Sequence, residues 1–116
     1  MSEMFNEEEL KISSRLYKNL HLVEITQKTT IDLYNCRDLV EFFKDLNLDQ
    51  SDGIIFNISQ VNYIDSSGLA TIIKQSRLCI EKNKKFYIMR PNKAVSHLFQ
   101  MVGFEKYFTL VDDLPA

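Results

Sequence analysis

The residues with the clearest chemical potential are two adjacent hydroxyls in the stretch Asp65-Ser66-Ser67-Gly68. An apolar run at residues 54–58 lies upstream of this stretch, and an amphipathic helical pattern begins directly after it. The pattern predicts that both serines lie at a strand-to-helix turn. Amide N–H groups in the first turn of a helix have no intrahelical partners, and the helix dipole is positive there. An anionic group such as a phosphate would therefore be stabilised at this turn.

A purely structural interpretation of the same residues stays open. Asp and Ser are preferred N-cap residues, so the stretch could do no more than satisfy a helix terminus. Asp32 is a second aspartate that is predicted to begin a helix after a strand. It would approach Asp65 and Ser66 if both helices start at one edge of the sheet, although two simple N-caps would give the same pattern.

The chain carries no recognisable catalytic motif. A serine hydrolase elbow would have glycines around its nucleophile, whereas Ile64 and Ala70 flank this motif. The three glycines, at positions 53, 68 and 103, are too far apart to form a phosphate-cradling loop. The remaining candidates for chemistry are His21, His97, Cys36 and Cys79. Their spacing is not that of a metal site, so we expect no enzymatic activity, metal or cofactor.

Length and charge limit the partners. A chain of 116 residues with 45% hydrophobic residues is long enough for one domain with its own core. The net charge of -2, from 14 basic and 16 acidic residues, offers no basic field for nucleic acid. The start of the chain is acidic and no apolar run is long enough to span a membrane. We expect a cytoplasmic protein without direct membrane insertion.

Apolar spacing predicts three helices. They cover residues 32–46, residues 66–82 and a shorter segment that begins after Pro91-Asn92 and ends at Gly103 as a left-handed residue. The inner face of the first is predicted to contain Cys36, Leu39, Val40, Phe43 and Leu46. The inner face of the second is predicted to contain Leu69, Ile72, Ile73, Ser76, Cys79 and Ile80.

Strand patterns surround these helices. Two short strands, around residues 10–16 and 20–25, are predicted to pair through a turn at Lys18-Asn19, and residues 54–58 and 86–89 form buried strands. Crossovers through helices favour parallel pairing. We therefore predict an α/β fold with a mixed four- to five-stranded sheet and helices mainly on one face. The predicted boundaries are a flexible acidic lead-in at 1–9, a single domain at 10–111 and a tail at 112–116.

Residues 57–69, together with residues 84–91 and 101–104, resemble the STAS domain of bacterial anti-sigma factor antagonists. The similarity spans most of the predicted domain and includes the Asp-Ser-Ser-Gly-Leu core. It implies a STAS-like sheet in which Ser66 is the phosphoacceptor, with Ser67 as a competitor, and in which Asp32 borders the phosphorylation site. The implied partner-binding residues are Asp32, Asp65, Ser66, Ser67, Gly68 and Leu69.

The resemblance also implies a partner-switching function. The unphosphorylated protein would bind a GHKL-type serine kinase that is also the anti-sigma factor, and phosphorylation would release it. A metal-dependent serine phosphatase would reset the switch. Phosphorylation adds about -1.5 to -2 units of charge to a surface that already carries Asp32 and Asp65. The alternative is a STAS scaffold that is not phosphorylated, or a soluble subunit of a transport assembly.

Overall fold

A computed structural model describes residues 9–103 and 107–115. Most of the predicted acidic lead-in, at residues 1–8, lies outside the described residues, as does Phe104 of the resemblance motif. No helix in the described part of the chain is long and apolar enough to cross a membrane.

A hairpin forms one edge of the main sheet. Strands β1 (Ile12–Tyr17) and β2 (Leu20–Ile25) pair antiparallel. The turn residues Lys18 and Asn19 both have positive φ, at 46° and 65°. A two-residue turn of this kind matches the right-handed twist of the paired strands. The predicted hairpin and its turn are confirmed.

Three parallel strands complete the main sheet. They are β4 (Gly53–Asn57), β6 (Lys85–Met89) and β7 (Thr109–Val111), and the five strands lie in the order β1-β2-β4-β6-β7. Among the described strands of this sheet, only β1 and β2 pair antiparallel. The predicted mixed sheet is confirmed with five strands. The sequence pattern did not indicate β7, because a strand of three residues shows no clear period.

A separate two-stranded parallel sheet joins β3 (Thr29–Ile31) to β5 (Val61–Ile64). The sequence pattern did not predict this pair. Each strand has only three or four residues, and burial within β5 is restricted to its first and last residues. The pair matters for function because Ile31 is in register with Ile64, so the residues that follow each strand lie side by side.

The three helices pack on one face of the main sheet, as predicted. They are α1 (Cys36–Asp45), α2 (Ser66–Glu81) and α3 (Lys93–Val102). Buried side chains of all three helices join one core with inward residues of β2, β4 and β6. The Phe43 ring of α1 packs edge-on to Phe56 of β4, with 5.3 Å between ring centroids. Gly103 ends α3 with a φ of 70°, which confirms the predicted left-handed residue.

The opposite face of the sheet carries a smaller apolar cluster of Leu20, Leu22, Ile55 and Met89. Leu114 packs against this cluster, and the hydroxyl of Tyr17 donates to the carbonyl of Pro115 at 2.9 Å. Residues 112–115 belong to the predicted tail. They partly cover the face of the main sheet opposite the three helices.

Helix α1 begins four residues later than predicted. Asp32 does not cap it; residues 32–35 form a turn, and Asn35 precedes the first helical residue. The Asp32 carboxylate accepts from the amides of Tyr34 and Asn35, at 3.0 and 3.2 Å. A local side-chain bond of this kind gives the backbone an alternative to the helix, which is why Asp is common just outside helices.

Two residues predicted to face the core are partly exposed instead. Val40 of α1 and Ile80 of α2 each retain 39% of their accessible surface. Val40 faces a cleft between α1 and α2, and Ile80 faces a groove beside β6 and β7. Helical spacing identifies the apolar side of a helix but does not show how far its neighbours extend over that side.

Candidate functional site

The predicted strand-to-helix turn is confirmed at the junction of β5 and α2. Asp65 is the N-cap of α2 and Ser66 is its first residue. One carboxylate oxygen of Asp65, Oδ1, accepts from the amide of Gly68 at 2.9 Å. This bond satisfies one of the free N–H groups of the first turn, as a good N-cap does.

The second carboxylate oxygen of Asp65 joins the two sheet-to-helix junctions. Oδ2 accepts from the amide of Leu33 at 3.1 Å, and the Asp65 amide donates to the carbonyl of Ile31 at 3.0 Å. Each oxygen of the carboxylate therefore has a backbone donor. The geometry makes Asp65 a positioning residue for the turn beside Ser66.

Asp32 lies at the neighbouring junction, directly after β3. Its Oδ1 accepts the two turn amides described above, and its Oδ2 accepts from the hydroxyl of Thr30 at 3.2 Å. Asp32 and Asp65 lie at the same end of the two-stranded sheet, because the preceding residues Ile31 and Ile64 are paired in parallel register. The two aspartates thus converge near Ser66, as the sequence suggested.

Asn35 is a structural residue of the site that the sequence reasoning missed. It is 2% exposed, and its side chain accepts from the Asp32 amide at 2.9 Å and donates to the Thr30 carbonyl at 2.8 Å. These bonds close the turn between β3 and α1. The available signal was an Asn three residues after an Asp, directly before an apolar helical pattern.

The two serines differ in accessibility. Ser66 is exposed, whereas Ser67 is half-buried and its carbonyl accepts from the hydroxyl of Thr71 at 2.9 Å. A modifying enzyme needs access to the hydroxyl, so the geometry favours Ser66 over Ser67.

Gly68 and Leu69 determine how closely α2 packs against the small sheet and the core. A Cβ atom on Gly68 would lie 2.6 Å from the carbonyl oxygen of Ile31 and 2.9 Å from the side chain of Ile64. Only glycine allows α2 to approach the small sheet this closely. Leu69 is half-buried against the core and, with Ser66, lines an open groove of about 590 Å³ along α2.

Three large apolar side chains beside the junction are exposed, and the sequence reasoning missed them. Leu33 and Tyr34 retain 65% and 66% of their surface, and Tyr63 of β5 retains 52%. Clustered exposed apolar side chains often mark interaction sites on soluble proteins. The exposure of Leu33 and Tyr34 follows from the turn after β3, and that of Tyr63 from its place in the middle of β5, which is buried only at its ends.

The described residues contain no group of three or more His, Cys, Asp or Glu side chains that could hold a metal ion. Within that part of the chain, the junction offers an exposed hydroxyl, two carboxylates engaged in backbone bonds and exposed apolar side chains. The arrangement is suited to binding and modification of Ser66.

The fold and the junction define a small mixed α/β domain that presents a serine at a helix N-terminus. The chain belongs to the STAS domain family, whose model matches residues 12–115. It is 25% identical over 75 residues to the anti-sigma-B factor antagonist of Staphylococcus aureus, which covers 65% of this chain and 69% of that protein. Family membership confirms the expectation that the chain is not an enzyme.

Solved structures show the same fold. A Thermotoga maritima protein described as a candidate anti-sigma factor antagonist aligns with a TM-score of 0.75 and 16% identity, over 89% of this chain and 87% of that one. SpoIIAA in its unphosphorylated form aligns with a TM-score of 0.65 and 12% identity, over 90% of each chain. The phosphorylated form of Bacillus SpoIIAA gives a TM-score of 0.66 and 12% identity, over 89% of this chain and 93% of that one.

Proposed function

We propose that this protein is an anti-sigma factor antagonist that works by partner switching and is controlled by phosphorylation of Ser66. The observation that carries the proposal is that Ser66 is exposed at the first residue of α2, directly after Asp65, whose carboxylate links this junction to the turn after β3. The relatives reported above support it, since one is named an anti-sigma-B factor antagonist and SpoIIAA has a phosphorylated form.

The proposed binding surface consists of the junction residues and their exposed neighbours. Its members from the sequence prediction are Asp32, Asp65, Ser66, Ser67, Gly68 and Leu69. Leu33 and Tyr34 extend this surface with apolar area that a partner would bury. Asp65 and Gly68 contribute by holding the surface in shape, because the carboxylate of Asp65 is occupied and Gly68 is buried.

The proposed partner is a GHKL-type serine kinase that is also the anti-sigma factor. The kinase would supply ATP, Mg²⁺ and the base that removes the Ser66 proton, while this chain supplies the hydroxyl nucleophile. The Ser66 oxygen forms a bond to the terminal phosphorus of ATP, the bond from that phosphorus to the bridging oxygen breaks, and ADP leaves. A metal-dependent serine phosphatase would hydrolyse the phosphoserine and reset the protein in the cytoplasm.

Phosphorylation would act through local charge. The phosphate would add about -1.5 to -2 units of charge beside Asp32 and Asp65. Within the domain, the free amides and the dipole of α2 favour an anion at its first turn. Against a partner, the same charge must lose water and would repel acidic groups. The expected result is release of the kinase without a change of fold.

A phosphorylation assay with the cognate GHKL kinase and ATP tests this proposal. We expect one phosphate on the wild type, mapped to Ser66 by peptide mass spectrometry, and none on Ser66→Ala. Ser67→Ala is the matched control and should be phosphorylated as the wild type is. Isothermal titration should detect kinase binding to the unphosphorylated protein and at least about tenfold weaker binding to the phosphoprotein, since 1.4 kcal/mol of repulsion suffices for that factor.

Two results would contradict the proposal. Full phosphorylation of Ser66→Ala would move the modification to another residue, with Ser67 the first to examine. Absence of phosphate on protein from its native cells and with every GHKL kinase of those cells would favour the alternative, a STAS scaffold or a soluble subunit of a transport assembly.

A further inference from the structure

A second cleft lies between α1 and α2, and Ser66 does not line it. It has a volume of about 470 Å³, within the usual range for small-molecule sites. Ile54 of β4, Phe43 of α1 and Cys79 of α2 line it and are all buried in the core. The cleft therefore opens from the surface down to the hydrophobic core.

The walls of this cleft are apolar. Val40 of α1 and Leu78 of α2 line it and retain 39% and 40% of their accessible surface. Burial raises the pKa of the Cys79 thiol to about 11, so the thiol is protonated and uncharged at neutral pH. An apolar molecule between the walls would cover surface that the fold leaves in contact with water, which is favourable.

The charged side chains around the cleft are all basic. Lys44, Lys74 and Lys82 line it together with the neutral polar residues Thr71 and Gln75, and no acidic side chain of the described residues does. The described residues form one ion pair, between Arg90 and Asp113, so none of these lysines is paired with a described carboxylate. Three ammonium groups that line one apolar cleft without a described ion pair would attract an anionic head group there, in a chain of net charge -2.

We propose that this cleft binds a small amphipathic anion, whose apolar body lies between Val40 and Leu78 and whose carboxylate or phosphate head contacts the lysine rim. Ser66 does not line the cleft, although Lys74 and Leu78 line both the cleft and the groove beside Ser66. Anion binding between Val40 and Leu78 does not require phosphorylation of Ser66, so this proposal can be tested separately from the function proposed above.

An NMR titration of the full-length protein tests the proposal with three probes of matched apolar body. Decanoate and decyl phosphate carry an anionic head, and decanol carries none. We expect saturable amide shifts at cleft residues with at least one anion, below its micelle concentration, and at least about fivefold weaker binding of decanol. A difference between the two anions would identify the preferred head group.

Charge-reversal variants test the rim. Lys44→Glu and Lys82→Glu should each weaken anion binding by about fivefold, the effect expected of about 1 kcal/mol at an exposed ionic contact. Lys93→Glu on α3 is the matched control, since Lys93 is exposed and lies outside the cleft. Leu78→Ser should weaken the anions and decanol alike, because it removes an apolar wall.

Several outcomes would overturn the proposal. They are the absence of saturable shifts with both anions, equal affinity for decanol, or unchanged affinity in both Lys44→Glu and Lys82→Glu. Saturable binding of an acidic amphipathic peptide without binding of either anion would instead assign the cleft to a protein partner.

Discussion

Gly68 is the residue at which close packing of α2 depends on the absence of a side chain. In Gly68→Ala, the new methyl group would meet the Ile31 carbonyl oxygen at 2.6 Å, and a backbone atom in a sheet has little freedom to move. Alanine favours a helix interior by about 1 kcal/mol over glycine. Overpacking costs about 1–3 kcal/mol and the close backbone contact places this site at the upper end, so we expect a net loss of about 1–2 kcal/mol.

Urea denaturation followed by circular dichroism measures this loss. Ser66→Ala, two residues earlier and exposed, is the control and should stay within about 0.5 kcal/mol of the wild type. A Gly68→Ala protein as stable as the wild type would show that α2 can move away from β3 without cost.

Because of Cys79, we expect the free energy of unfolding to fall with rising pH in the alkaline range. Burial raises the pKa of its thiol from 9.0 to about 11, and the nearby charge of Lys82 reduces that rise. Between these values the unfolded thiol loses its proton while the folded thiol keeps it. The unfolded state then binds fewer protons, so the free energy of unfolding falls as pH rises. This contribution is complete below about pH 9.

Cys79→Ala isolates the effect. Free energies of unfolding from urea denaturation at pH 8, 9.5 and 10.5 should fall more steeply for the wild type, by up to about 2 kcal/mol at pH 10.5, because each pH unit between the two pKa values is worth about 1.36 kcal/mol. Parallel pH profiles for the two proteins would contradict the prediction. Other groups titrate in this range, and they contribute equally to both proteins.

At the scale of elements, the start of α3 is tied to the small sheet by one side chain. The Oδ1 atom of Asn92 accepts from the Val95 amide at 2.8 Å, which caps α3. Its Nδ2 atom donates to the carbonyls of Val61 and Asn62, at 3.3 and 2.9 Å. Asn92 thus stabilises a helix end and fixes that helix to β5.

A pair of variants separates these two roles. Asn92→Ala removes both and should cost about 1–2 kcal/mol, the usual value for a lost N-cap. Asn92→Asp retains the cap but loses the two donated bonds, so its loss should be smaller than that of Asn92→Ala. Thermal unfolding of both variants and the wild type shows which variant loses more stability. A larger loss in Asn92→Asp would show that repulsion between its carboxylate and the carbonyls of Val61 and Asn62 outweighs the retained cap.

Comparison of the predicted and observed elements shows which boundaries a sequence pattern can predict. The first residue of α2, the turn at Lys18-Asn19 and the end of α3 at Gly103 are confirmed, because capping and turn geometry depend on a few adjacent residues. The strands β3 and β5 were missed, since the register of such short strands depends on contacts between distant segments.

At the scale of the whole molecule, the C-terminal segment meets the end of β1 on the face of the main sheet opposite the three helices. Leu114 packs on the apolar cluster there, and Tyr17 of β1 bonds to Pro115. Arg90, at the end of β6, donates to the carbonyl of Asp112 at 3.0 Å and to the carboxylate of Asp113 at 3.1 Å. The C-terminal segment therefore covers apolar surface that the sheet would otherwise leave open.

Leu114→Ser should weaken this cover. We expect a loss of about 1 kcal/mol, because Leu114 is only partly buried, and stronger fluorescence of the apolar dye ANS. Leu16→Ser in β1 is the matched control, since Leu16 is 62% exposed and should change neither quantity. Equal dye binding by the two variants would show that Leu114 does not protect the sheet face.

The sequence by itself determined the α/β class, the helical segments, the capped serine turn and the resemblance to a family. These features arise from short-range spacing, caps and turns. Only the tertiary structure decided that Asp32 begins a turn, that Asp65 binds the Leu33 amide, and that Val40 faces a cleft. Each depends on which distant segments become neighbours when the sheets and helices pack, and local periodicity carries no information about that choice.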